Sequence, residues 1–432
     1  ISGDNLDGLK HLLKSYSGKV KMIYIDPPYN TGTDGFVYND SFNFTIEELS
    51  EKLSISEEQA KRILDLTKRG SASHSAWLMF MYPRLQLARD LLTDDGVLFI
   101  SIDDNEQGNL KLLCDDIYGG ENFIGQIVIK SNPRGSMSDS SLAQLHEYII
   151  CYAKNKNLSA VIGHELSDDM LSEYKYEENG KKYRLLGLRQ RGGFWRRSER
   201  PNLFFPIYFS EKDGSISLKK TECHRNFVLP IQPSTNEDGT WRWSKEKIEV
   251  SAGELIAKEI TRNGNNAWDI FQKDYLNKAG IQRRTKAKSL WDEKEVNYQN
   301  GTIEIKSLLG SGVFDYAKPV YLIQRAIQML QFNNGDIILD FFSGSATTAN
   351  AVMKNNAEQA CNLKFIMVQW QEEVKPASIA EKAGYKTIDQ IGIERIIRAA
   401  KKIKEEYPDT TVDLGFKHYT LVEPEQNTLD KL

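Results

Sequence analysis

Asp26-Pro27-Pro28-Tyr29 packs a carboxylate, a rigid turn and an aromatic face into four consecutive residues. Neither proline has an N–H to donate and each fixes φ, so the turn leaves its carbonyls free and cannot continue a strand ladder. Such a corner is a receptor for a planar ring that carries an amino group. An exocyclic amine is a poor nucleophile because its lone pair is delocalised into the ring. Asp26 and the Pro27 carbonyl would accept its two hydrogens and localise that lone pair. Tyr29 would stack on the ring, an interaction worth roughly 1–3 kcal/mol per base. A plain surface turn after a strand is the competing reading.

A second stretch, Asp340-Phe341-Phe342-Ser343-Gly344-Ser345-Ala346-Thr347-Thr348, lies between an apolar run and a helical one. Its small residues let backbone N–H groups approach a ligand at a helix N-terminus. It departs from G-x-G-x-x-G, which disfavours a nicotinamide dehydrogenase. The next strand, Lys364–Gln369, is followed closely by Glu372, and either Gln369 or Glu372 can hold ribose hydroxyls. Cys223-His224 has no second pair at ligand spacing, so no metal site is expected. The four cysteines, Cys114, Cys151, Cys223 and Cys361, form no C-x-x-C, which points to a reducing compartment without disulfides.

Both stretches need a sheet to carry them. Met22–Ile25 and Asp336–Asp340 read as short buried strands, and open α/β sheets bind ligands beyond strand C-terminal ends at the switch point. If Ile23–Ile25 and Ile337–Leu339 are the two central strands, Asp26 and Asp340 head one crevice. Helices are expected over Leu6–Leu13, from the capping box Ser56–Gln59 to about Gly70, and from His74 to about Leu92 with Trp77, Met81 and Leu85 on a core stripe. Strands follow over Val97–Ile102, Phe123–Lys130 and Glu147–Ala153. Asp103-Asp104 either faces the crevice or caps the next helix. The loops Asn30–Phe44 and Ser131–Ser138, the latter with Arg134, read as substrate loops. Near the end come helices from Val320 to about Gln331, near 376–383 and from about 392 to 406, then a strand over Asp413–Leu421.

With 432 residues and 40% of them hydrophobic, the chain has room for two or three domains with real cores. No apolar run is long enough to span a membrane, and no signal peptide is visible. Its net charge of −4 means that any nucleic-acid surface must be local. The α/β rhythm stops over residues 158–305. There Lys181–Arg200 holds eight basic residues against one acid, Glu199, with Tyr183, Phe194 and Trp195 interleaved. Arg189, Arg191, Trp195, Arg196 and Arg197 in that run, with Arg283 and Arg284 further on, make the candidate nucleic-acid surface. An ordinary solvated basic face is the alternative. The expected division is 1–157, 158–305 and 306–432, the first and last parts completing one sheet.

These stretches resemble a known family. Asp-Pro-Pro-Tyr at a strand end is similar to motif IV of the methyltransferases acting on exocyclic amines of DNA bases. Phe342 opens a loop similar to motif I, the F-x-G-x-G form of S-adenosylmethionine-dependent methyltransferases, with Ala346 in place of the last glycine. Lys318 in Phe-Asp-Tyr-Ala-Lys-Pro resembles motif X; a surface lysine at a helix start is its other reading. A catalytic motif, a recognition insert and then a cofactor motif resembles the circularly permuted, β-class order. DPPYNTGTDGFVYNDSFNF, HSAWLMFMYPRLQLARDLLTDDGVLFISIDDNE, HEYIICYAKN, RPNLFFPIYF and DLGFKHYTL together resemble the modification (Mod) subunits of type III restriction–modification systems.

The resemblance implies an α/β fold with a doubly wound, Rossmann-like methyltransferase sheet and an inserted α+β target-recognition domain. It further implies S-adenosylmethionine as cofactor, held by Asp340, Phe341, Phe342, Ser343, Gly344, Ser345, Thr347 and Lys318 with Gln369 or Glu372. The reaction would be N6-methylation of a flipped adenine in double-stranded DNA. A homodimer, a helicase–nuclease restriction subunit and the bacterial cytoplasm are the expected partners and place. Asp before Pro-Pro-Tyr favours adenine N6 over cytosine N4. Methylation of RNA bases or protein glutamine, and a non-catalytic specificity subunit, are the rival readings. The chain begins at Ile1 rather than Met and family members are usually longer, so further segments are expected beyond both ends.

Overall fold

A computed structural model describes residues 1–31, 45–47, 50, 56–67, 72–135, 141–262, 264–278 and 280–422. Most of the loop Asn30–Phe44, the residues around Gly70 and residues 136–138 of the second expected loop lie outside them. Two compact units are present, Ile1–His164 with Lys286–Leu432, and Glu165–Thr285.

The first unit opens with α1, Asn5–Tyr16, capped by Asp4, whose carboxylate accepts the Leu6 and Asp7 N–H groups. Next come β1 (Val20–Ile25), α2 (Glu57–Thr67), α3 (Ala72–Leu91), β2 (Leu92–Ile102), α4 (Gln107–Tyr118), β3 (Phe123–Ile129) and β4 (Glu147–Ala153). After the second unit follow β5 (Leu290–Trp291), α5 (Tyr298–Leu309), α6 (Val320–Gln328), β6 (Ile337–Asp340) and α7 (Thr347–Gln359). The chain ends with β7 (Lys364–Met367), α8 (Ile379–Lys382) and α9 (Ile388–Glu406).

The strands form one sheet in the order β5-β3-β4-β2-β1-β6-β7. β4 runs antiparallel to both neighbours, and the other pairs are parallel. All six residues of β1 are buried because it has partners on both edges and helices on both faces. Alternation divides the core accordingly. Ile23, Ile25, Leu98 and Ile100 pack with Leu9, Trp77 and Leu85 on one side. Met22, Tyr24, Val97 and Phe99 pack with Leu322, Ile323 and Val352 on the other. The sheet is therefore doubly wound, and each fully buried aliphatic side chain stabilises it by about 1.5–3 kcal/mol.

Three expectations change. Asp413–Leu421 is not a strand: only Thr420 forms a bridge, to Ser2, supported by Ser2 N–H to the Tyr419 carbonyl at 2.8 Å and Leu421 N–H to the Ser2 carbonyl at 2.9 Å. The neighbour there is too short for a ladder. β2 starts at Leu92 rather than Val97, and Thr93–Gly96 is taken up as an irregularity, since Val20 pairs with Leu92 and Met22 with Val97. The unit boundaries fall at 164/165 and 285/286 where composition pointed to 157/158 and 305/306. Backbone pairing explains the latter: Leu290 and Trp291 pair with Val128 and Ile129 of the main sheet.

The unit Glu165–Thr285 holds an antiparallel sheet of Leu255–Arg262, Asn265–Tyr275, Lys181–Gly187 and Tyr176–Glu178, in that order. A three-stranded sheet and the helix Lys245–Ser251 accompany it. Phe205, Ile207, Phe209, Trp241, Trp243 and Ile270 fill its own core.

Candidate active site

In the parallel pair β1/β6, Ile23 is opposite Leu339, so Asp26 and Asp340 leave the sheet side by side. Beyond the strand ends lies a cleft of about 660 Å³, whose walls include Asp26, Pro28, Lys318, Asp340, Gly344 and Gln369. The two stretches that the sequence separates thus share one pocket.

At one end, Asp26 is held by its neighbours. Its Oδ1 accepts the Tyr29 hydroxyl at 2.8 Å and lies 3.1 Å from the Lys318 ammonium. Among the described residues, Oδ2 and the Pro27 carbonyl have no hydrogen-bond partner. The Pro28 carbonyl, by contrast, is taken by the buried Trp77 indole N–H at 2.7 Å. The turn therefore carries two acceptors without a partner among the described residues next to an occupied one, Asp26 on the cleft wall and the Pro27 carbonyl on a buried residue. Tyr29 turns its hydroxyl into the network and is half-buried; the walls of the cleft are formed by Asp26 and Pro28 rather than by its ring. Burial, Asp26 and Glu147 push the Tyr29 phenol well above its ordinary pKa.

Lys318 is almost completely buried. Gly301 of α5 packs so closely under Ala317 that a Cβ there would sit 1.9 Å from the Ala317 carbonyl oxygen, which fixes the backbone carrying Lys318. Its ammonium donates to the Tyr29 hydroxyl at 2.8 Å and reaches Glu147 at 3.5 Å. Burial opposes the charge, but Asp26 and Glu147 outweigh it and hold the lysine pKa above its usual value.

At the other end, the Phe342–Thr347 loop is shaped by its backbone. Gly344 has φ 49° and Ala346 φ 61°, both left-handed, and Ala346 caps α7. Alanine thus adopts the conformation that the missing glycine would take most easily. The Gly344 N–H donates to Gln369 Oε1 at 2.7 Å, so this Gln369 oxygen shapes the loop. Glu372 also lines the cleft, with an exposed side chain. Asp340 accepts the Phe342 N–H at 3.0 Å and the Thr348 hydroxyl at 2.6 Å. Burial pushes its carboxyl up to about 7, against those two hydrogen bonds. Asn5 donates to the Phe341 carbonyl at 3.0 Å. Beneath the loop, fully buried Arg395 donates through Nη1 to Ser345 Oγ at 2.9 Å and Thr347 Oγ1 at 2.7 Å.

The arginines of the Glu165–Thr285 unit divide into two groups. Arg189 forms an ion pair with buried Asp269 and is itself nearly buried, so it belongs to the core rather than to a surface. Arg283 pairs with Asp274, and Arg284 lies 3.5 Å from Glu165. Arg191 and Arg196 are exposed, Arg196 with its guanidinium 4.9 Å from the Trp195 ring. Arg197 is exposed but shares Asp238 at 2.8 Å. In the first unit, Arg134 is exposed after β3. Asp103 takes its own loop's Asn105 N–H at 2.9 Å, while Asp104 accepts the Tyr148 hydroxyl at 2.7 Å; neither caps α4.

Sequence reasoning missed Glu147, Tyr298, Glu106 and Arg395. Glu147 and Tyr298 enter the Asp26 network only through long-range pairing. Buried Glu106 accepts the amides of Asn30 at 2.6 Å and Asn109 at 2.8 Å, with His74 Nδ1 also at 2.6 Å, and so ties down the residue after Tyr29, whose φ is 58°. The acid after Asp103-Asp104 was visible; its distant partners were not.

The model of the family described as DNA methylase matches residues 20–405 of the chain. The EcoPI Mod subunit, a type III restriction–modification enzyme subunit of Escherichia phage P1, is 39% identical over 96% of this chain and 64% of its own length. The StyLTI Mod subunit of Salmonella typhimurium is 37% identical over 100% of this chain and 61% of its own. The type II methyltransferase M.KpnI of Klebsiella pneumoniae is 32% identical over 94% of this chain and 88% of its own. The chain thus spans a little under two thirds of the type III relatives and most of the type II one.

Proposed function

The chain belongs to the DNA methylase family, and on that premise we propose that it methylates N6 of an adenine flipped out of duplex DNA, with S-adenosylmethionine as cofactor. The observation that carries this reading is Asp26, with Oδ2 free of partners among the described residues and the unpartnered Pro27 carbonyl beside it, on the wall of the cleft that the Phe342–Thr347 loop also lines.

When bound, the cofactor supplies an electrophilic methyl group on a sulfonium centre. The chain's own part begins with the base, whose extrusion costs a few kcal/mol. Tyr29, whose ring lies outside the cleft walls, braces Asp26 through its hydroxyl instead of stacking on the base. Asp26 and the Pro27 carbonyl hold the two N6 hydrogens and direct the lone pair toward the loop. As the new N–C bond forms, N6 becomes cationic, and its extra proton leaves toward Asp26 or water. The cleft fits the cofactor by its size, its small-residue loop and its exposed Glu372 carboxylate. Glu372 would accept the ribose hydroxyls while Gln369 keeps Gly344 in place, which separates the two candidates by role.

The exposed Arg191, Arg196 and Arg197 provide phosphate contacts in the Glu165–Thr285 unit, which serves as the target reader. By analogy with the type III relatives, the working assembly is a homodimer with a restriction subunit in the bacterial cytoplasm. The type II methyltransferase it is similar to suggests a second reading, an enzyme that modifies DNA without such a partner. Transfer of tritium from labelled S-adenosylmethionine to duplex DNA, but not to RNA or protein, is the expected result. Label appearing in RNA or protein instead would replace the proposal. Copurification with a restriction subunit separates the two assemblies.

A further inference from the structure

Glu147, the first residue of β4, lies far in sequence from Asp26, yet three polar groups gather at its Oε2, of which Tyr29 gives its single hydroxyl hydrogen to the nearer Asp26. The Tyr298 hydroxyl is at 2.7 Å, the Tyr29 hydroxyl at 3.0 Å and the Lys318 ammonium at 3.5 Å. β4 is antiparallel to β2, with Tyr148 opposite Ile102, so its N-terminal residue arrives at the edge where β1 and β6 end. The Lys318 ring contacts complete the enclosure: its ammonium is 4.5 Å from the Tyr298 ring centre and 4.9 Å from that of Tyr29.

We propose that Glu147 is a positioning residue for methyl transfer, which holds Lys318 and Tyr29 on the Oδ1 side of Asp26 and keeps the corner net negative. This rests on the methyltransferase reading above. An ammonium has three N–H groups, and here it has three oxygen neighbours: the Tyr29 hydroxyl, Asp26 Oδ1 and Glu147 Oε2. Without Glu147, one N–H is left to turn onto Asp26 Oδ2 and close the acceptor that the amine needs. Charge points the same way. Asp26, Glu147 and Lys318 sum to one negative charge, which favours the positive charge that develops on N6 as it is methylated. Neutralising Glu147 brings the sum to zero.

The test is single-turnover methyl transfer to duplex DNA by the full chain. Glu147→Gln is expected to slow transfer by about tenfold or more, short of the roughly 10²–10³-fold loss of a group that touches the reacting atoms. Affinity for cofactor and for DNA should not change. The double variant Glu147→Gln/Lys318→Met restores the net negative charge and should transfer faster than Glu147→Gln alone, a recovery that a purely structural role does not predict. A Glu147→Gln enzyme at the wild-type rate, or a double variant no faster than the single, overturns the inference. Should Glu147→Gln fail to fold, the double variant is compared with Lys318→Met alone: the sum of charges then falls from two negative to one, so a slower double variant supports the inference and an equal or faster one overturns it. A wild-type protein with no transfer to DNA would instead strike the underlying function.

Discussion

At one end of the cleft Asp26 is held by side chains, with the Tyr29 hydroxyl and the Lys318 ammonium both on Oδ1. At the other end the Phe342–Thr347 loop is held by left-handed backbone at Gly344 and Ala346 and by Arg395 from below. The contrast predicts two kinds of mutant. Changes in the first corner should alter rate and leave binding intact, because the turn itself is fixed by prolines and by Trp77. Changes around the loop should alter cofactor affinity and stability first, because the loop's shape is what its supports maintain.

The largest effect belongs to Asp26→Ala. Losing one of two acceptors for the amine should cost on the order of 10³-fold in transfer, about 4 kcal/mol, with cofactor binding by calorimetry unchanged. A parallel loss of cofactor binding would erase the contrast between the two ends. Asp340→Asn sharpens it from the loop side. Between the ordinary 3.8 and about 7, an unfolded Asp340 is ionised while the folded one keeps its proton. The folded state then binds more protons, so wild-type stability falls as pH rises through that window, by a few kcal/mol. Asp340→Asn removes this slope and should gain on the wild type in urea midpoints measured from acid to neutral pH.

Arg395→Met comes next. It removes two charge-assisted hydrogen bonds to Ser345 and Thr347, at about 1.5–3 kcal/mol each before the relief from desolvating a charge. Its Nε and Nη2 have no hydrogen-bond partner among the described residues, so part of that cost is returned. Cofactor affinity should fall while the transfer rate at saturation stays near wild type. The smallest effect is electrostatic. Neutralising Arg196 and Arg197 should weaken DNA binding and lower the salt slope by about 2. Arg189→Ala should instead destabilise its unit, by about 3 kcal/mol or less, since it removes the ion pair with buried Asp269.

Legibility in the sequence followed the range of the interactions. Val20–Ile25 and its proline stop were readable because an apolar run and two residues without N–H groups act locally. The pairing of β1 with β6 was readable because small-residue turns mark strand ends that face a ligand. Glu147 was not, since its role depends on an antiparallel strand bringing it to Asp26 across the sheet. Arg189 misled for the opposite reason: an arginine in a basic run has the same letter whether it faces solvent or a buried aspartate. Asp413–Leu421 has the apolar and aromatic content of a strand, but a strand needs a partner of matching length, and among the described residues only Ser2 bridges to it.

Binding of a bisubstrate analogue, an adenine joined through N6 to the sulfur position of an S-adenosylmethionine analogue, tests most directly whether both ends serve one reaction. One cleft holding both parts predicts affinity roughly 10²-fold or more above that of the unlinked cofactor analogue, lost in part with Asp26→Ala. An analogue that binds no tighter than its cofactor half, and equally well to Asp26→Ala, would contradict it.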